Sequence, residues 1–267
     1  MSRTITELGP REAEFLATMA STAKDIFTLE TAKAFWGSGS ATRNVLSRLK
    51  SKGWLERLER GTYMLVPLEA GVSREWSEDP LAIGSFLVPS GGAAYWTAVR
   101  HWGWTTQLPR TQFFITAQRR AAQGHFLGVP YRFVTLKPDR VFGISEEWIG
   151  NLAIRVTNRE RTILDILDRP DFAGGIAEVS EALKVGWREA NLALLTEYME
   201  RFGSGTVPKR LGYVAEELEL GGVGDWAPRW RAMMGAGITL LERGGPKAGR
   251  IVKRWGLQIN AGEGDHE

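Results

Sequence analysis

Arg43, Asn44, Ser47 and Arg48 stand one, three and one residues apart, a spacing that gathers them on one side of an α-helix. Arginine and asparagine pair bidentately with guanine and adenine edges, while cations and hydroxyls hold phosphates, so such a face suits duplex DNA. Ser40, Thr42 and Lys50 extend the candidate contact set along the same segment. Val45, Leu46 and Leu49 form the apolar stripe that would turn the polar side outward. Charge is concentrated here: eight cations against four acids give residues 24–60 a net +4, more than the +3 of the whole chain. A charged outer helix face also occurs as a merely solvated surface, and a helix of this kind can serve protein contacts, so its setting matters.

The flanking residues supply that setting. Thr28 is placed to cap a short helix ending at Phe35-Trp36, the Gly37-Ser38-Gly39 turn breaks it, and Ser40 caps a second helix running to about Lys52. Gly53 ends that helix. Residues 54–57 and 62–65 alternate as two strands around an Arg60-Gly61 turn, which puts Arg57 and Arg60 on a hairpin wing. Upstream, Gly9-Pro10 opens a helix whose Phe15, Leu16 and Met19 face inward and complete a three-helix core. Residues 24–66 thus read as a winged helix-turn-helix.

Catalytic patterns fail at their required residues. Cysteine is absent and the histidines are His101, His125 and His266, with no H-E-x-x-H, so no metal site is expected. The run Gly244 to Ile251 imitates a phosphate-cradling loop but carries Arg250-Ile251 where lysine and a hydroxyl are needed. A metal-dependent nuclease would place an acid two residues before a lysine, and neither Asp-x-Lys nor Glu-x-Lys occurs. His101, beside Trp102, has no serine elbow or evident carboxylate partner and reads as a packed or hydrogen-bonded side chain. Arg161 and Asp165, four apart, read as a structural pair on one helix face, and Tyr95, Trp96, Trp102 and Trp104 as core. The expectation is a non-enzyme without cofactor or catalytic residue.

At 267 residues, two domains are expected: residues 1–75 for the winged helix and 76–267 for a mixed α/β domain, giving an α+β chain overall. The polar run LEAGVSREWSEDP after Pro67 is the expected linker, with the second domain starting near Leu81. Strands are expected at 112–116, 131–134 and 152–156, and helical segments at 91–104, 159–167, 176–184, 188–202 and 209–218. A glycine-broken segment from 221 to 249 precedes a last strand at 257–259, and the GEGDHE tail reads as disordered. From Arg229 to Arg254, seven cations face one acid, a net +6. Arg243, Lys247, Arg250, Lys253 and Arg254 form a second candidate nucleic-acid or effector surface, with Trp230 and Trp255 read either as base-stacking partners or as core. The absence of cysteine, of a signal-like leader and of any 18-residue apolar run points to a cytoplasmic protein with no membrane partner.

The order of several motifs adds a resemblance. The wing closes on Gly61-Thr62-Tyr63-Met64-Leu65-Val66-Pro67, and Ala94-Tyr95-Trp96-Thr97-Ala98 and His101-Trp102-Gly103 follow. Next come Asn158-Arg159-Glu160-Arg161-Thr162-Ile163-Leu164-Asp165, Leu167-Asp168-Arg169-Pro170 and Gly174-Gly175-Ile176. Lys209-Arg210-Leu211-Gly212-Tyr213 and Arg254-Trp255-Gly256-Leu257-Gln258-Ile259-Asn260 close the series. In this order the chain resembles AbiEi-type antitoxins over nearly its full length. The resemblance implies the antitoxin of a bicistronic toxin-antitoxin, or abortive-infection, module used in phage defence, whose partner gene encodes a nucleotidyltransferase toxin. It implies that the winged helix represses the module's own promoter, at repeated half-sites, and that the C-terminal domain carries antitoxin activity. The DNA role maps onto Ser40, Thr42, Arg43, Asn44, Ser47, Arg48, Arg57 and Arg60; the antitoxin role maps onto no particular residue, and family antitoxins commonly act without a stable toxin complex. Two other readings remain open: a stand-alone regulator with a ligand- or protein-sensing domain, and a nucleic-acid-processing enzyme targeted by the winged helix.

Overall fold

Residues 7–22, 24–37, 39–67, 79–149 and 152–260 are described by the computed structural model. The chain sorts into two compact units, residues 1–79 with 126–128, and residues 80–125 with 129–267. The core of the expected linker, residues 68–78, and the GEGDHE tail lie outside the described residues.

In the first unit α1 (Pro10–Ser21) starts on a proline, whose fixed φ suits a first helical position, and Glu12 accepts the Gly9 N–H at 3.0 Å. Phe15 and Met19 are buried and Leu16 half-buried. A short strand not foreseen from the sequence, β1 (Ile26–Thr28), leads into α2 (Leu29–Trp36), where Thr28 Oγ1 caps the Thr31 N–H at 3.3 Å. Gly37, at φ +87°, ends that helix. The next helix, α3 (Gly39–Ser51), begins one residue ahead of the expected Ser40 cap, so Ser40 lies inside its first turn. The wing is the antiparallel hairpin β2 (Leu55–Glu59) and β3 (Thr62–Leu65), and β1 pairs on the other side of β3. A register shift between Arg57 and Glu59 marks a bulge, which adds local twist just before the turn. Leu29 N donates to Gly61 O at 2.7 Å, tying the wing's turn to the start of α2. Phe15 meets Phe27 and Phe35 edge-on at 5.3 Å, in a core shared with Ala32, Leu46, Leu49 and Leu55. Each large side chain buried there contributes about 1.5–3 kcal/mol.

The second unit is built on a six-stranded mixed sheet in the order β6-β7-β5-β4-β9-β8. Its strands are β4 (Gly92–Ala93), β5 (Gln112–Thr116), β6 (Gln123–Phe126), β7 (Val129–Thr135), β8 (Ile144–Ile149) and β9 (Leu152–Thr157). The sheet is accompanied by α4 (Pro80–Leu87), α5 (Tyr95–His101), α6 (Arg159–Asp168), α7 (Ile176–Gly186), α8 (Leu192–Phe202), α9 (Val207–Glu217) and α10 (Val223–Ala232). A small sheet of β10 (Thr239–Leu240), β12 (Leu257–Gln258) and β11 (Ile251–Val252), in that order, completes it. Two of the departures from expectation fall in the C-terminal helices, beside others such as α9 starting at Val207 rather than Lys209 and the unforeseen α4, β4, β6, β8, β10 and β11. The first is α8, which starts at Leu192 rather than Arg188 because Asn191 Oδ1 accepts the N–H groups of Ala193 and Leu194 at 3.0 and 3.1 Å. The second is α10, which occupies part of the segment expected to be glycine-broken: Gly221-Gly222 precede it and Gly235 and Gly237 follow it.

Several motifs of the family resemblance supply residues to this unit's core. Glu160, Arg161, Thr162 and Asp165 of α6 are all buried among Ile163, Leu164 and Leu167. Arg161 and Asp165 form the expected pair, Nε to Oδ1 at 2.9 Å, with both side chains essentially inaccessible. On α9, Lys209 Nζ donates to Gly237 O at 2.6 Å, and Arg210 Nη1 and Nη2 donate to Leu167 O and Leu240 O at 2.7 and 3.0 Å. These cations stitch the 237–240 backbone to the helical layer. Gly212 lets Trp255 seat directly on α9, since a Cβ there would fall 2.1 Å from the indole.

Candidate nucleic-acid interface

Along α3, Thr42, Leu46 and Leu49 are fully buried and Val45 half-buried, which orients the rest of the helix. Arg43, Asn44, Ser47 and Arg48 are exposed, as is Ser40. Thr42 leaves the contact set, because its methyl side is core and its hydroxyl donates to Gly37 O at 3.3 Å, closing the α2–α3 turn. Lys50 is half-buried, seven residues on from Arg43 along the same helical stripe.

The exposed side of α3 divides into two stripes. Toward the wing, Arg43 and Ser47 join Arg57, Arg60, Gly61 and Tyr63 of the hairpin and Leu29 of α2 around a concavity of 430 Å³. Three guanidiniums thus surround one groove, two aligned by the hairpin and one by the helix. Gly61, at φ +83°, permits the tight turn that places Arg60 at the tip, and Arg57 Nε donates to Glu59 O at 3.2 Å. Toward α1, Arg48 and Lys52 converge on a single carboxylate: Arg48 Nε and Lys52 Nζ reach Glu12 Oε1 and Oε2, each at 2.8 Å. Lys52 Nζ also donates to Glu7 O at 2.8 Å. Burial alone would raise the Glu12 pKa, but the Lys52, Gly9 and Arg48 donors overcome it and bring the group down to about 2.

Of the residues assigned to DNA from sequence, Arg43, Ser47, Arg57 and Arg60 are brought into one groove, with Ser40 and Asn44 exposed on the same helix. Arg48 is held on the other stripe. Sequence reading missed Glu12, Leu29 and Tyr63. Glu12 three residues after Gly9 carries the local signature of a helix start, but nothing local announces partners 36 and 40 residues away.

The C-terminal basic segment is different in kind. Arg243, Lys247, Arg250, Lys253 and Arg254 are all exposed. Arg254 pairs with Glu216, and Arg250 Nη2 donates to the Tyr213 hydroxyl at 3.3 Å. Trp230 and Trp255 are fully buried, their indole N–H groups donating to Thr196 Oγ1 at 2.9 Å and Glu216 Oε2 at 2.6 Å, so the core reading holds and neither ring offers a face to a base. Among the described residues no group of three or more His, Asp or Glu side chains is placed to hold a metal ion. No helix there is long and apolar enough to cross a membrane.

A search of curated protein sequences returns no match. A solved structure, the crystal structure of the RV2827C protein from Mycobacterium tuberculosis, is similar with a TM-score of 0.64 at 14% identity, over 96% of this chain and 93% of that one. At that identity the likeness is one of fold. Residues 14–66, from the middle of α1 to the end of the wing, match the family model described as "Transcriptional regulator, AbiEi antitoxin". Over these residues the winged helix of this chain is similar to that of the AbiEi family of transcriptional regulators and antitoxins.

Proposed function

We propose that the chain is a DNA-binding antitoxin that represses its own promoter through the winged helix and counteracts a nucleotidyltransferase toxin through its second unit. The observation that carries the DNA half is the groove between α3 and the wing, where Arg43, Arg57 and Arg60 surround Ser47 inside the family-matched segment. In that geometry Arg43 and Asn44, near the start of α3, enter the major groove and read base edges, while Arg57 and Arg60 take phosphates alongside. The antitoxin half rests on the motif order of the second unit, and the exposed cations Arg243, Lys247, Arg250, Lys253 and Arg254 are its candidate surface. Because the family match ends at residue 66, a stand-alone regulator with a sensing second unit is the second reading.

One paired experiment tests both halves. The full chain is offered a randomised duplex pool and its own upstream region, and is co-expressed with the nucleotidyltransferase encoded beside it. Selective retention of the upstream region together with rescue from the toxin supports the reading. Arg43→Ala should derepress a promoter reporter and leave rescue intact, whereas Arg250→Glu with Lys253→Glu should abolish rescue and leave repression intact. No selective duplex binding would defeat the DNA half; selective binding without rescue, or without a toxin gene alongside, would leave the regulator alone.

A further inference from the structure

We propose that Glu12 is a positioning residue of the DNA face, which sorts the cations of α3 into base readers and a backbone clamp. The inference rests on the DNA-binding reading above. Arg43, Arg57 and Arg60 line the wing groove, while Arg48 of α3 and Lys52, just past its end, are drawn 2.8 Å from Glu12 across the start of α1. Glu12 is 5% exposed, both its carboxylate oxygens are used, and its Oε2 also accepts the Gly9 N–H that starts the helix. Its carboxylate therefore has no freedom to follow a moving partner; the partners must come to it.

The consequence falls mainly on Arg48. Its side chain is still 55% exposed, so it can meet a phosphate, but with Nε fixed it cannot swing along α3 to the base edges that Arg43 and Asn44 face. An unrestrained arginine there would contact bases or phosphates of many registers, adding affinity for any duplex and eroding the preference for one. Glu12 also cancels one positive charge where the backbone would pass. Holding a cation in a fixed place at the edge of a reading surface favours selectivity over raw affinity.

The test uses the full chain and two duplexes, one selected by the parent from a randomised pool and one of scrambled sequence, each titrated with salt. In Glu12→Gln, binding to the scrambled duplex should strengthen and its log–log salt slope steepen by about 1, as one more cation becomes available. The ratio of selected to scrambled affinity should fall about tenfold. Adding Arg48→Gln should return that ratio toward the parental value, since the released guanidinium is the cause. A ratio unchanged in Glu12→Gln, or lowered and not restored by Arg48→Gln, overturns the proposal, because a purely structural Glu12 would move stability and not this pair of readouts. Should Glu12→Gln not fold, Arg48→Gln in the parent decides: it should weaken both duplexes by a similar factor, whereas Arg43→Gln should weaken the selected duplex far more. An Arg48→Gln loss confined to the selected duplex would make Arg48 a base reader and sink the idea. A parent chain with no sequence preference defeats the DNA reading itself, a separate failure.

Discussion

Glu12 in the first unit and Asp165 in the second each meet an arginine nitrogen at less than 3 Å, 2.8 Å in one case and 2.9 Å in the other, yet their surroundings push them in opposite directions. Glu12 accepts from Gly9, Arg48 and Lys52, and these donors outweigh its burial, so its pKa falls to about 2. Asp165 is enclosed, and its Oδ2 and the Arg161 Nη2 find no hydrogen-bond partner among the described residues. Burial there outweighs Arg161, and the carboxyl is pushed up to about 6. What decides the sign is the number of donors set against desolvation, not the presence of an ion pair. The two sites accordingly do different work. A carboxylate satisfied at the rim of a surface orients side chains that face outward, while one sealed in a core with its arginine fixes how α6 sits against residues 140–142, whose carbonyls accept from Arg161 Nη1 at 2.7 and 3.5 Å.

The largest expected effect tests the buried member. Removing one partner strands the other's charge, so Arg161→Ala should cost about 3–5 kcal/mol of stability in chemical denaturation. Replacing both, with Arg161→Met and Asp165→Leu, should cost distinctly less, because no charge is left in the core. A loss below about 1 kcal/mol for Arg161→Ala would mean that water reaches the pair and that the contrast with Glu12 is one of degree.

Next in size is the reading face. Arg43→Ala should lower affinity for a selected duplex by about 1–3 kcal/mol and flatten the preference at one base-pair position, the signature of a lost bidentate contact. Equal weakening on every sequence, measured by competition, would demote Arg43 to a phosphate partner and leave Asn44 as the candidate reader.

The pH dependences of the two carboxylates should run in opposite senses. Glu12 has its folded pKa depressed from 4.5 to about 2, so its stabilisation is present above about pH 4.5 and is lost as pH falls toward 2. Asp165 has its folded pKa raised from 3.8 to about 6, so its contribution is full below about pH 3.8 and is lost as pH rises through 6. The stability gap between the parent and Glu12→Gln should therefore narrow in acid. Relative to Asp165→Asn, the parent should lose ground between pH 4 and 6. Each change is on the order of 1–3 kcal/mol, the Glu12 value reduced by solvent around the half-exposed Arg48. Gaps that move together with pH would contradict the assignment of burial as the deciding cause at Asp165.

Local signals made the winged helix legible: Thr28 at a cap, Gly37 and Gly53 at helix ends, Gly61 in a turn, and an apolar stripe at helical spacing. Arg43, Ser47, Arg57 and Arg60 could be named because helix and hairpin periodicity fix which side each faces. Thr42 was misassigned since threonine suits either side of a helix, and its burial depends on how α3 rolls against α2 and the turn between them, which is a tertiary choice. The strand β1, three residues long, exists only because β3 is beside it, and the edge strands β6 and β8 likewise carry little alternation of their own. Glu12 was invisible as a site residue for the same reason: its partners lie 36 and 40 residues away.

The smallest expected effect belongs to the wing, and it sharpens the division of labour on the first unit. Arg57 is exposed on β2 beside the bulge and Arg60 at the turn, so under the proposed DNA-binding reading both should meet the duplex at its backbone. Arg57→Gln and Arg60→Gln should each reduce the salt slope by about 1 and weaken selected and scrambled duplexes by a similar few-fold factor. Because Gly61 O accepts from Leu29 N at 2.7 Å, the hairpin keeps its position when the side chain at Arg60 changes, and thermal stability should stay within about 0.5 kcal/mol. An unchanged slope with a sequence-dependent loss would move the wing into the base-reading set. The whole wing groove would then read bases, and the boundary between readers and clamps would lie between that groove and the Glu12 stripe rather than within the groove.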